Sequence, residues 1–290
     1  MNSAIIRNLV KTGCMTTCSR LFHSVVLVGA IAIVVIAAAV IQPHSQEVAS
    51  SVEVAGTTLR VRLPDGSVRA GAELIGGVLT ATFGGQSLRV RIDGVEQDPR
   101  DPQGEVLLYD FRAVAPDGRT EPLCTPDPDG RRRGLALAGR SEPWGFLTIG
   151  EPGVFELVCT AGPQAKCVRM GYAPWRKAPD GRPMIDWFNA CVRMLRGDYC
   201  GDGRPFTRDG TWIDLYDRIG IQKSDNDPSL SFEAAWGPNG ATCVARTRLP
   251  DLIDLDGLAR VCPRLSGRLG PAACSENDRD GLVMNRSRQQ

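Results

Sequence analysis

The residues best suited to chemistry are acids gathered in one stretch: Asp198, Asp202, Asp209, Asp214 and Asp217, with Glu233 farther on between aromatic residues. Two carboxylates flanking a glycosidic bond can hydrolyse it without a cofactor, one as general acid and the other as base or nucleophile. On that reading Asp198, Asp202, Asp214 and Glu233 are the candidate acid and base of a carboxylate-dependent hydrolase acting on a polysaccharide. So many oxygen ligands could also serve a calcium-stabilised binding domain, although the regular spacing and terminal Glu of an EF-hand loop are missing. Aspartate beside glycine is, however, first a turn former, and Asp202-Gly203 and Asp209-Gly210 fit that role. The leading expectation is therefore turns and caps within a non-catalytic binding or structural module, with neither a metal nor a cofactor.

Other common chemistries lack their residues. The two histidines are His23 and His44, both near the N-terminus, so the rest of the chain has no imidazole for a Ser-His-Asp or Cys-His arrangement. Metalloprotease helices and most catalytic zinc sites need one too. A phosphate loop ending in Gly-Lys-Ser/Thr and a dinucleotide fingerprint are both absent, so no nucleotide is expected. Net charge is +1 and acids interleave with the basic residues, which argues against a nucleic-acid partner. Arg131-Arg132-Arg133 sits beside Asp127 and Asp129 and reads as a solvated loop.

The elements that must hold these residues start with the N-terminus. No charged side chain occurs from Leu21 to Gln42. As a helix, such a run would span about 33 Å, enough for a bilayer core. Arg7, Lys11 and Arg20 precede it and Glu47 follows, so the positive-inside bias sends the bulk of the chain outside. The expected organisation is a cytoplasmic lead over 1–23 and a transmembrane anchor or signal peptide over 24–42. A tether over 43–51, an extracytoplasmic globular region over 52–274 and a flexible tail over 275–290 follow. Ala37-Ala38-Ala39 offers a peptidase the small residues it reads, so a single-pass anchor and a cleaved, secreted or periplasmic form both stand. A start at Met15 would shorten the lead to an ordinary n-region. The partners this suggests are the membrane, through that segment, and an envelope protein or glycan.

Cysteine usage fits export. Cys14 and Cys18 precede the apolar segment, and eight cysteines follow it: Cys124, Cys159, Cys167, Cys191, Cys200, Cys243, Cys262 and Cys274. An even count outside the cytoplasm reads as up to four disulfides, of open connectivity. None of the eight lies two or three residues from another, which argues against zinc knuckles and redox pairs.

The fold expected is α+β, a β-rich antiparallel half over 52–122 followed by a mixed, disulfide-stapled half over 123–263 with one or two short helices. Short β-type runs at Thr57–Leu63, Val78–Phe83, Leu88–Val95, Val106–Val114 and Val154–Cys159 are bounded by Gly, Pro or Asp. Pro64-Asp65-Gly66, Pro116-Asp117-Gly118 and Pro128-Asp129-Gly130 mark turns between or beside them. Met184, Trp187, Phe188, Cys191, Met194 and Leu195 recur at helical spacing, predicting a helix over Pro183–Leu195. Ser231–Trp236 and Thr242–Thr247 read as paired strands, and Asp251–Val261 as a short helix.

One long stretch resembles a known family. Cys191-Val192-Arg193-Met194-Leu195-Arg196-Gly197-Asp198-Tyr199-Cys200-Gly201-Asp202-Gly203, then Thr207-Arg208-Asp209-Gly210-Thr211 and Ile213-Asp214-Leu215-Tyr216-Asp217, is similar to the bacterial ADYC domain family. That family is named for an Ala-Asp-Tyr-Cys tetrad, and Gly197, Asp198, Tyr199 and Cys200 stand here in its place. Further matches are Ala165-Lys166-Cys167-Val168, Phe232-Glu233-Ala234-Ala235-Trp236 and Ala245-Arg246-Thr247-Arg248. The resemblance implies an exported or lipid-anchored protein with a cysteine framework, and it carries over no catalytic residue. Physically the tetrad reads as a structural knot, with Gly197 ending the helix, Asp198 serving loop amides, Tyr199 tucked inward and Cys200 fixing the next loop.

Overall fold

The computed structural model describes residues 49–288 apart from 84–85, 143–144 and 151, and before residue 49 only the backbone of 32–35, 40–41 and 47–48. The lead, most of the expected membrane or signal segment and the first four residues of the tether lie outside the described residues. Among the described residues no helix is long and apolar enough to cross a membrane.

Period-two alternation builds the first half. Strands β1 (Ser51–Ala55), β2 (Thr58–Arg62) and β3 (Val68–Ala70) form a three-stranded antiparallel sheet. Beside it lies a larger antiparallel sheet, whose strands are β4 (Val78–Phe83), β5 (Gln86–Gln97), β6 (Leu107–Val114), β7 (Thr120–Pro122) and β8 (Gly134–Ala138). A short pair, β9 (Arg140–Ser141) and β10 (Leu147–Thr148), leads to its last strand, β11 (Phe155–Cys159). The spatial order is β11-β8-β6-β5-β4, with β7 against β6. Along β6, Tyr109 and Phe111 join a core with Leu59, Val61, Ile92 and Leu157. Leu108, next to Tyr109 and pointing the other way, joins the opposite core with Leu135, Leu137 and Val158. The sheet is thus covered on both faces, and each large apolar side chain buried this way contributes about 1.5–3 kcal/mol. The β1–β2 hairpin is tied down by Tyr109, whose hydroxyl accepts from the Leu59 amide (3.0 Å) and donates to the Thr57 carbonyl (3.2 Å).

The second half packs on the other face of that sheet. Helix α1 (Pro163–Arg169) starts with proline at its first turn, and α2 (Ile185–Arg196) follows. Next come β12 (Ile213–Asp217), β13 (Ser231–Gly237), β14 (Gly240–Val244), helix α3 (Leu255–Val261) and β15 (Val283–Ser287). These strands form an antiparallel sheet of order β12-β15-β13-β14. Trp187, Phe188, Cys191 and Met194 are buried as the helical spacing predicts, yet Asn189, Ala190 and Val192 are buried too. The reason is that α2 shares one core with both sheets. Asn189 satisfies its amide there on the backbone of Leu147, accepting from its N–H (2.8 Å) and donating to its carbonyl (3.1 Å). Asp254 caps α3 by accepting from the Gly257 amide at 2.6 Å.

Four disulfides staple the chain: Cys124–Cys159, Cys167–Cys191, Cys200–Cys262 and Cys243–Cys274. In the chain-entropy picture loops of this length stabilise by roughly 3–4 kcal/mol each. Two expectations need correction. Among the described residues there are three α-helices rather than one or two, and the additional one, Pro163–Arg169, is too short to show an apolar period. The tail from Ser275 is also not loose throughout, since Val283–Ser287 is an inner strand of the second sheet.

Arg169, at the end of α1, clamps the two halves together. Its Nε donates to Asp98 (2.6 Å) and its Nη1 to Asp127 (3.3 Å), with the arginine side chain 6% exposed and both carboxylates fully covered. Asp98→Asn takes one charged acceptor from Arg169 while Asp127 remains, so it is expected to lower unfolding free energy by about 1.5–3 kcal/mol. Urea titration with disulfides intact measures this; an unchanged midpoint would show that the clamp is not needed.

Candidate functional site

Helix α2 ends at Gly197, whose φ of 60° and ψ of 32° are left-handed. A Cβ there would lie 2.7 Å from the Phe206 carbonyl oxygen. The chain turns at once into Asp198, whose Oδ2 accepts from the Gly203 amide (3.0 Å) and pairs with Arg193 one helical turn earlier. Burial pushes the Asp198 carboxyl above its ordinary range against the opposing pull of Arg193 and Arg196.

Tyr199 is fully covered and stacks on Trp236, with ring centroids 5.1 Å apart. Its hydroxyl donates to Glu233 Oε1 (2.9 Å) and accepts from the Arg248 amide (3.1 Å). Burial first, then the Glu233 charge, holds this phenol far above its usual pKa. Glu233 also accepts from Arg248 Nη2 (2.7 Å), Asn285 Nδ2 (2.8 Å) and Ser287 Oγ (2.5 Å). Arg248 in turn donates through Nη2 to the Met194 carbonyl (2.7 Å), closing the C-terminal end of α2 where a cation is favoured. Arg264 donates to the carbonyls of Tyr199 (2.6 Å), Cys200 (3.1 Å) and Ala241 (2.7 Å), while Cys200 is bridged to Cys262.

The remaining acids are separately engaged. Asp202 sits on a surface turn, with its carboxylate on the Arg204 amide (3.0 Å) and Arg204 Nε (2.7 Å). Asp214 is buried and accepts from Ser224 Oγ (2.6 Å) and the Asp225 amide (3.2 Å). Asp217 gathers the amides of Ile219, Gly220 and Gln222 and the hydroxyl of Tyr172. Among the described residues no three His, Cys, Asp or Glu side chains come together as a metal-ligand set.

Two adjoining concave surfaces lie along α1, where the two halves meet. A cleft of about 550 Å³ is lined by Asp101, Arg176, Lys177, Met184 and Gln222 among others. A second of about 300 Å³ is lined by Lys166, Leu195, Thr207, Asp209 and Ile213 among others. Arg100, Arg169 and Met170 belong to both walls, so the clefts adjoin. Asp198, Asp202, Asp214 and Glu233 line neither, whereas Asp209 lines the smaller. Sequence reading missed these walls because their residues come from distant segments. The only local signal was Lys166, one of four lysines among 34 basic residues.

Glu233→Gln leaves Arg248 buried without its counter-charge and is expected to cost about 3–5 kcal/mol. Tyr199→Phe removes one hydrogen bond to that carboxylate and should cost about 1–2 kcal/mol. Chemical denaturation of both variants checks the order; a Tyr199→Phe loss as large as that of Glu233→Gln would show that the hydroxyl rather than the charge pair governs this core.

No curated protein and no solved structure matches the chain. The ADYC domain family model matches residues 71–250, reaching back from the tetrad through most of the β-rich half and including every lining residue of both clefts. With more than half of its length matched, and with the tetrad at the end of α2 tied into a buried ion-pair network, the chain belongs to the ADYC domain family.

Proposed function

We propose that this protein is a non-catalytic extracytoplasmic module of the cell envelope or surface, which binds a partner through the clefted junction between its halves. The observation that carries this reading is the use of the acids. Asp198, Asp214 and Glu233 are covered and engaged with internal donors, and Asp202 holds a surface turn, which supports a structural role for these acids over acid–base work on a bound sugar. The adjoining clefts provide the concave surface that binding needs, on a scaffold made rigid by four disulfides.

Purified protein incubated with isolated envelope polysaccharide should release no reducing ends, and Asp202→Asn should behave as the parent. Turnover that disappears in a folded Asp202→Asn or Asp214→Asn variant would replace this reading with a carboxylate-dependent hydrolase.

Compartment belongs to the same proposal. The apolar N-terminal segment either anchors the chain as a single pass with its C-terminal domain outside, or is cleaved to leave a secreted or periplasmic protein. Four disulfides agree with an oxidising surrounding. Mass spectrometry of the mature chain is expected to find either an intact leader or a first residue near Val40. A cytosolic product with free thiols at all eight positions would overturn the placement.

A further inference from the structure

The smaller cleft contains a cation whose situation differs from that of its neighbours. Arg100 is paired with Asp129 (2.6 Å), Arg169 with Asp98 and Asp127, and Arg208 with Asp251, while Arg196 donates to the Gly203 carbonyl (2.6 Å). Lys166, half-buried on α1, lines the same wall, and its ammonium makes no hydrogen bond or ion pair among the described residues. The acid whose charge reaches it, Asp127, spends its oxygens on Arg169 and on the amides of Asp129 and Arg131. The same cleft is lined by the apolar residues Met170, Leu195 and Ile213 together with Thr207. A partly covered charge without a partner carries a desolvation cost, and an arriving anion would relieve that cost.

We propose that this cleft receives a small organic acid, a carboxylate on an apolar body, with Lys166 as counter-ion and Met170, Leu195 and Ile213 as walls. This rests on the reading of the protein as a binding module and names the class of ligand. The volume of about 300 Å³ is at the lower end for small-molecule sites, which suits a compact acid rather than a polymer. Burial lowers the Lys166 pKa, as expected for an ammonium not yet compensated. Asp129 and Asp209 also line the cleft, and Asp129 is held by Arg100. An acid entering beside Lys166 therefore meets a wall that already contains carboxylates, and this favours a single carboxylate over a multiply charged ligand.

The scarcity of lysine makes the test clean, because Lys177 and Lys223 serve as internal controls in the same folded chain. Full-length oxidised protein is pulsed with an isotope-coded acetylating reagent, and each lysine peptide is quantified with increasing benzoate, benzyl alcohol or inorganic phosphate. Benzoate is expected to slow acetylation of Lys166 several-fold and saturably while leaving Lys177 and Lys223 unchanged. Benzyl alcohol should have no effect, and phosphate should protect less than benzoate. Benzoate should also raise the melting temperature of the parent and of Lys166→Arg but not of Lys166→Met. Absence of selective protection at Lys166, or a thermal shift that survives in Lys166→Met, overturns the site. Protection by phosphate equal to that by benzoate overturns the apolar half of the proposal. Neither result touches the polysaccharide assay, so the binding-module reading stands or falls separately.

Discussion

Glu233 and Arg248 face each other with no accessible side-chain surface, and the second half of the protein is arranged around them. Removing two ions from water costs several kcal/mol per ion, and mutual attraction offsets this only when every remaining donor and lone pair finds a partner. Here four of the partners come from three places in the chain. Tyr199 follows α2, Asn285 and Ser287 lie on β15, and the Met194 carbonyl is at the end of α2. Helix, tetrad and sheet therefore cannot shift independently. Trp236 extends the same network, since its indole donates to Asn285 Oδ1 (2.8 Å) while its ring stacks on Tyr199.

Arginine is the residue this design depends on. Arg248, Arg264 and Arg169 each hold several acceptors at once, which a planar fork of five donors can do and a flexible ammonium cannot. Arg193, Arg248 and Arg264 fix the tetrad from three sides, and Arg169 fastens α1 to the β-rich half. The disulfides act on different pairs of elements: Cys167–Cys191 joins α1 to α2 and Cys200–Cys262 joins the tetrad to the end of α3. Ion pairs and bridges thus constrain the same framework by independent means, one in the folded state and the other chiefly through the unfolded chain.

Elements with a strong periodic signal were legible. Val78–Phe83 is a strand over the stretch its alternation marks, and the predicted helix Pro183–Leu195 appears as Ile185–Arg196. The paired strands around Gly237-Pro238-Asn239-Gly240 also appear, although the second is Gly240–Val244 because the chain leaves the sheet at the turn that positions Arg246 and Arg248. Pro163–Arg169 and Gly134–Ala138 were missed, being too short for a period to register above the glycines and prolines beside them. The clefts were illegible for another reason: their walls are assembled from segments separated by scores of residues, and adjacency of that kind has no local trace.

Spacing along the chain specified the alternation of the β-rich half, the amphipathic character of α2, the even set of eight cysteines after the apolar segment and the tetrad Gly197–Cys200. Such spacing is what local backbone geometry reads. Tertiary structure alone decided which cysteines pair, that Glu233 is a structural anchor, and that the polar segment Val283–Ser287 lies inside a sheet. That strand contains Asn285 and Ser287, which in sequence look like tail residues. They are buried because a charged carboxylate from another strand requires their donors, and a requirement set by a distant residue becomes visible only when the chain has folded.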